Sequence, residues 1–263
     1  MIPKSLNFGL LSKASFVTLA ATAALAAQVS AGQIKVLGQN VQGVPDANAV
    51  AVSDSIIAPG FSTDLQQQGQ DLLENPSGSI VRFGFLEDGV TGTEPDENTY
   101  LILDHNPGGP TDGYDYGRHF LFQGHENSGD LAYVTRINLD VSNPDHRVTL
   151  LTPPGTDGLA HFNSIDGSCW NPFTQTLLFT QEHGNTGGVI EIAADYDGST
   201  NSGLRTLYGS IGQGGFEGIH PDDKGNIFIV EDVGGVLFGF AKNPNSFVYR
   251  FVVTQGSDKP TGE

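Results

Sequence analysis

The chain of 263 residues has one cysteine, Cys169, and little positive charge: 12 lysines and arginines stand against 30 aspartates and glutamates. A single cysteine excludes an internal disulfide framework and leaves two readings, a buried inert thiol or one kept for chemistry. The formal net charge of −18 excludes binding to nucleic acid or an anionic membrane by electrostatic attraction. It suits solubility in a salty exterior, cation binding, or both. No Gly-x-Ser-x-Gly, Gly-Lys-Ser/Thr or His-Glu-x-x-His element is present. These absences argue against serine hydrolase, nucleoside triphosphatase and helical zinc protease chemistry. Beyond the N-terminal leader no stretch has a helical period and none approaches transmembrane length. Glycine (35) and proline (14) are dispersed between short apolar runs, as in a turn-rich all-β domain.

The N-terminus has its own character. Residues 1–13 carry Lys4 and Lys13 and no acid, residues 14–28 are apolar and alanine-rich, and Val29-Ser-Ala31 has the small side chains of a cleavage motif. This predicts a signal peptide over 1–31 and an exported product, secreted or periplasmic, with no membrane attachment once the leader is removed. Its removal takes two lysines and no acid, moving the net charge from −18 to −20. Residues 32–78 read as an extended polar segment, partly helical around Thr63–Leu73. The β pattern starts at Ser79 and runs through 79–263, with early strands at Ile80–Phe85 and Tyr100–Leu103. The Asp-, Gly- and Pro-rich stretch from Asp104 to Gly117 reads as an irregular surface or metal-lining loop.

Three segments repeat one pattern: Phe120-Leu-Phe-Gln-Gly-His-Glu126, Leu177-Leu-Phe-Thr-Gln-Glu-His183 and Ile227-Phe-Ile-Val-Glu-Asp232. In each, an apolar strand reaches an acidic tip and a Gly-rich turn, and a second apolar strand follows. A recurrence near fifty residues with short strands predicts a β-propeller, with room for about four blades in this length. That count is low for a propeller of this kind and predicts a partial one.

Carboxylates at one place in successive blades converge on an axis, where mutual repulsion is relieved by bound cations. The candidates are Glu126, Glu182 and Glu231, at the strand tips. Aligning Phe162-Asn-Ser-Ile with Phe216-Glu-Gly-Ile adds Asn163 and Glu217 from the preceding strands. Oxygen donors of this type suit Ca²⁺, and histidine or cysteine beside them suits a transition metal. His125 and His183 lie on opposite sides of their glutamates, and each reads as a surface or turn histidine. A lone Glu before a Gly turn is as easily a solvated residue. A single-Ca²⁺ lactonase-like hydrolase using Glu217, Asn163 and Asp232 is an alternative, and so is a secreted propeller that binds without catalysis.

The motifs resemble those of the secreted PhoX-type alkaline phosphatases. Arg118–Glu126 is similar to that family's apolar strand ending in Asn-His-Glu. Cys169-Trp170, thirteen residues before Glu182, resembles its cysteine upstream of a Cys-Glu-Glu strand end. Phe216-Glu217-Gly-Ile resembles its His-Glu-Gly segment, and Glu231-Asp232 followed by Tyr249-Arg-Phe251 resembles its Gly-Asp-Asp and Tyr-Lys-Phe. The resemblance implies a six-bladed propeller, a monomer, whose channel binds Fe³⁺ and Ca²⁺ and hydrolyses small phosphate monoesters. It makes Cys169 an iron ligand, Glu182 and Glu217 metal-binding catalytic residues, and Glu126 and Glu231 further calcium ligands. The paired glutamates of the family stand here as Gln181-Glu182-His183, one carboxylate short, and later ligands would fall beyond Glu263.

Overall fold

A computed structural model describes residues 64–127, 132–153, 162–198, 203–232, 236–238, 241–243 and 247–253. The leader at 1–31 and most of the segment at 32–78 lie outside them. The chain divides after Asp64, and the elements below belong to the unit Leu65–Glu263.

Strand formation starts earlier than the sequence pattern predicts. The helix expected around Thr63–Leu73 is not formed among its described residues: the chain turns at Gly69-Gln70 and enters β1 (Leu72–Ser77), which pairs with β2 (Ile80–Arg82). Strand β3 (Glu94–Ile102) likewise starts six residues ahead of the apolar run at Tyr100. Its first half, Glu-Pro-Asp-Glu-Asn-Thr, has the composition of a turn and is held extended by pairing with the next strand.

Three antiparallel sheets carry the fold. The first has the order β3-β4-β5-β6, with β4 at His119–Glu126, β5 at Tyr133–Asn138 and β6 at Val148–Leu150. The second has β7 (Ile165–Asn171), β8 (Thr176–Gln181), β9 (Gly188–Ala193) and β10 (Leu204–Thr206) in sequence order. The third has β11 (Phe216–Pro221), β12 (Ile227–Glu231) and β15 (Val248–Phe251); β13 (Val236–Phe238) and β14 (Ala241–Asn243) form a separate hairpin. No α-helix occurs among the described residues, so the fold is all-β.

The sheets stack face to face. Phe120, Phe122 and Val134 of the first pack with Ile165, Leu177, Phe179, Ile190 and Ile192 of the second. Cys169, Leu178 and Val189 from the other face of the second pack with Phe216, Ile219, Ile227 and Ile229 of the third. A sheet covered on both faces needs apolar side chains at odd and even positions alike, which is why β8 reads as a continuous run (Leu-Leu-Phe) rather than an alternation. Each fully buried Leu, Ile or Phe contributes roughly 1.5–3 kcal/mol. The outward face of the first sheet is closed by the β1–β2 segment, whose Leu73, Ile80, Phe83 and Leu86 cover Tyr133, Ile137, Val148 and Leu150.

The first strands of the three sheets share an irregularity. Register shifts by one residue between Pro95 and Asn98 in β3, between Ile165 and Ser168 in β7, and between Phe216 and Ile219 in β11. Such bulges re-aim side chains and release backbone groups from the ladder. The neighbouring sheet takes up such groups: Ser168 N donates to Glu97 Oε2 at 2.9 Å, and the Thr180 hydroxyl donates to the carbonyl of Glu217. The approach is so close that a Cβ on Gly167 would collide with the Glu217 carbonyl. Gly167→Ala is expected to destabilise the fold by about 3 kcal/mol, because backbone cannot yield as a flexible side chain does. An unchanged urea midpoint would show that the two strands do not meet this way.

Candidate functional site

The bulges decide which acids meet. Pairing places Pro95 opposite His125, Ile165 opposite Gln181 and Phe216 opposite Glu231. Pro95, Ile165 and Phe216 are therefore equivalent positions, and the residues after them, Asp96, Asp166 and Glu217, are equivalent acids, one per sheet. The alignment of Asn163 with Glu217 is replaced by that of Asp166 with Glu217. Asn163 lies ahead of β7, where its backbone N–H donates to Gln181 Oε1 at 3.2 Å. At the far end of the second strands, Glu126 and Glu182 are equivalent, but their counterpart in the third sheet is Asp232. Glu231 instead matches His125 and Gln181, one step along the strand and on the opposite face.

Asp166 is the centre of the cluster. Only 6% of it is exposed, and it lies within hydrogen-bonding reach of Asp96. Burial pushes its carboxyl up to about 8, with the charges of Asp96, Glu217 and Glu126 adding to the effect. Glu126, half-buried, is raised first by burial and then by Glu94, Asp96 and Glu217. A carboxyl in contact with a second carboxylate is driven towards its protonated form, so Asp166 keeps its proton near neutral pH. Among the described residues no three His, Cys, Asp or Glu side chains are placed to clasp one ion directly. The oxygen-only donor set is of the type that binds Ca²⁺, whose remaining ligands are commonly backbone carbonyls and water.

The other sequence candidates take different places. Cys169 packs between the second and third sheets, at the register position that Thr99 holds between the first and second. Thr99 there meets the Ser168 hydroxyl at 2.9 Å. Burial pushes the Cys169 thiol up to about 12, with Glu97 contributing. A thiol among Leu178, Val189 and Ile219 fits the inert reading better than ligation of iron, which requires the thiolate. Glu182 follows β8 half-buried, its N–H bonded to the Ser164 carbonyl at 2.8 Å. Glu231 accepts from the Tyr249 hydroxyl at 3.1 Å and borders a cavity of about 370 Å³ with Ile211, Gln213, Phe216 and Ile229.

His125 departs most from its expected setting. It is fully buried, stacked on Tyr133 at 4.2 Å and met edge-on by Phe83 at 4.8 Å. Its Nε2 lies 2.9 Å from the Thr135 hydroxyl and its Nδ1 3.4 Å from that of Thr93. Burial lowers it to about 3, so it is a neutral core residue. His183 is exposed at the loop after β8.

Asp96 and Asp166 are the residues that the sequence pattern missed. Ile165-Asp166-Gly167 does parallel Phe216-Glu217-Gly218, which was the available signal. The phenylalanine at 162 masks it by offering a competing alignment three residues earlier. No protein-family model and no curated protein matches the chain.

Proposed function

We propose that this chain is an exported, cation-dependent hydrolase of phosphate monoesters, built on a β-propeller whose channel is lined by Asp96, Glu126, Asp166 and Glu217. The observation that carries the reading is Asp166: a buried carboxyl beside three other acids, holding a proton near neutral pH. The stacked sheets, each with a bulged first strand bearing one acid, support the propeller form. The phosphate monoester class rests on the resemblance to the PhoX-type phosphatases.

These carboxylates would hold a hard divalent cation of the Ca²⁺ type. Bound there, such an ion supplies charge neutralisation for phosphate oxygens. Without it, a phosphate dianion is repelled by the cluster, so hydrolysis is cation-dependent. Cation binding at the cluster requires Asp166 to release the proton that it holds in the cation-free state, so binding, and the hydrolysis that depends on it, strengthens as pH rises into the alkaline range. The iron of the resembling family is not part of this reading, since Cys169 stands among aliphatic side chains.

The test is a calcium titration of the chelator-treated full chain by calorimetry, followed by p-nitrophenyl phosphate hydrolysis at alkaline pH with and without Ca²⁺. Saturable binding and calcium-dependent release of nitrophenol are expected, and Glu217→Gln should weaken the binding by about tenfold. Binding without turnover, or turnover of a lactone instead, would replace the phosphatase reading. Absence of binding would remove the cation as well.

A further inference from the structure

A cavity of about 240 Å³ lies where the first two sheets meet, at the end away from the carboxylate cluster. Asp96 and Asp166 stand near the starts of β3 and β7, whereas Ile102 and Trp170 stand near their far ends. Four to six residues of strand separate the two places, about 13–20 Å at the usual rise. The cavity is therefore distinct from the cluster. Its walls include Ile102, Asp104, His105, Trp170, Gln175 and Asp195.

Trp170 is the one tryptophan of the chain. It is half-buried, packed in part against the core that the first and second sheets share. The two carboxylates stand exposed at the rim. Asp104 lies 3.6 Å from the Arg118 guanidinium, whereas Asp195 has no basic partner among the described residues. Gln175 adds an observation of a different kind. It has a φ of +56° in the turn between β7 and β8, a conformation that glycine takes at most other such positions of this chain. A side chain is kept here against that preference, and it lines the cavity. The Gln175 carbonyl also accepts from the Ala194 N–H at 3.4 Å, which ties the turn to the segment carrying Asp195.

We propose that this cavity binds a small organic ammonium ion, seated on the Trp170 ring between the Asp104 and Asp195 carboxylates. An indole face attracts a cation through its quadrupole, more strongly than the other aromatic side chains do. The rim carboxylates act in the same sense, and the net charge of −18 draws cations to the surface as a whole. The same charges repel an anion. A Ca²⁺ ion requires roughly six to eight oxygen ligands, whereas Ile102 and the indole present carbon. An organic cation suits both surfaces, with its alkyl groups on the carbon wall and its charge towards the acids. The volume limits its size, since pockets for drug-sized ligands span roughly 300–1,000 Å³ and this one is smaller. The occupant is a single ammonium head with short substituents.

Because the chain has one tryptophan, its indole emission reports this cavity alone. Tetramethylammonium chloride is titrated into the full chain, with sodium chloride balancing the ionic strength. Protonation of His105 in the lining would oppose the ion, so the titration is run at about pH 8. A saturable change on the order of millimolar is expected, weakened at least about fivefold by Asp104→Asn combined with Asp195→Asn. Both carboxylates are exposed, so the double variant should keep the parent circular dichroism. Asp166→Asn should leave the binding unchanged, which separates this site from the cluster. An emission change that does not saturate overturns the proposal, as does one that survives the double substitution or is lost in Asp166→Asn. A stronger response to a neutral sugar such as glucose overturns it as well.

Discussion

Asp166→Asn is expected to stabilise the cation-free protein by several kcal/mol at pH 8 and to abolish its response to Ca²⁺. The folded-state carboxyl, raised from 3.8 to about 8, holds a proton that the unfolded chain has released. A group raised in this sense contributes stability that is fully present below pH 3.8 and lost as pH climbs towards 8. The loss runs at about 1.4 kcal/mol per pH unit. An asparagine keeps a donor towards Asp96 and removes the titration. The wild type should therefore lose thermal stability between about pH 4 and 8 in chelator and regain it when Ca²⁺ is added, because a ligand that binds only the native state stabilises it. The variant should be flat in both respects. Equal midpoints for wild type and variant at pH 8 in chelator would sink the account of Asp166 as a raised, proton-holding carboxyl.

The second large effect comes from His125, and its sign is opposite. This imidazole is lowered from 6.5 to about 3 by burial alone, between the rings of Tyr133 and Phe83. Below pH 6.5 the unfolded chain takes up a proton that the native state refuses, so stability present above pH 6.5 is lost as pH falls towards 3. Between neutrality and pH 5 the cost is about 2 kcal/mol. In the wild type this loss overlaps the gain from Asp166, so it is best measured in the Asp166→Asn background. There the urea midpoint should fall steadily below pH 6.5. Adding His125→Gln should lower the midpoint at neutral pH, by removing the stacked ring, and flatten the acid slope. A steep slope that persists without the imidazole would assign the acid loss to other groups.

Much of the fold was legible because apolar strands, Gly-rich turns and a spacing near fifty residues are local signals. The strands containing Phe120–Glu126, Leu177–Gln181 and Ile227–Glu231 lie where the pattern puts them. The first half of β3 was not legible, since Glu94 to Thr99 has the chemistry of a turn and becomes strand only by pairing with Phe122 to Glu126. The carboxylate cluster was legible in part. Glu126 and Glu217 were recognisable as acids at repeated strand ends, and the structure brings both beside Asp166. Glu231 and Asn163 were chosen from the same repeats but stand elsewhere, because the true register is offset from the one that the neighbouring residues suggest. Cys169 is ambiguous in any sequence without its neighbours, since the same thiol serves as packing or as ligand according to what surrounds it.

What the sequence by itself determined was the class of structure and the charge that any partner must tolerate: short apolar strands without helical period, and acids far in excess of bases. What only the tertiary structure decided was which acids face one another. The physical reason is the two-residue repeat of a strand, in which one step reverses the side a residue presents. One bulge in each first strand sets that step, turning Asp96, Asp166 and Glu217 together. Burial then makes Asp166 a proton carrier at neutral pH, a property that no aspartate carries in its sequence.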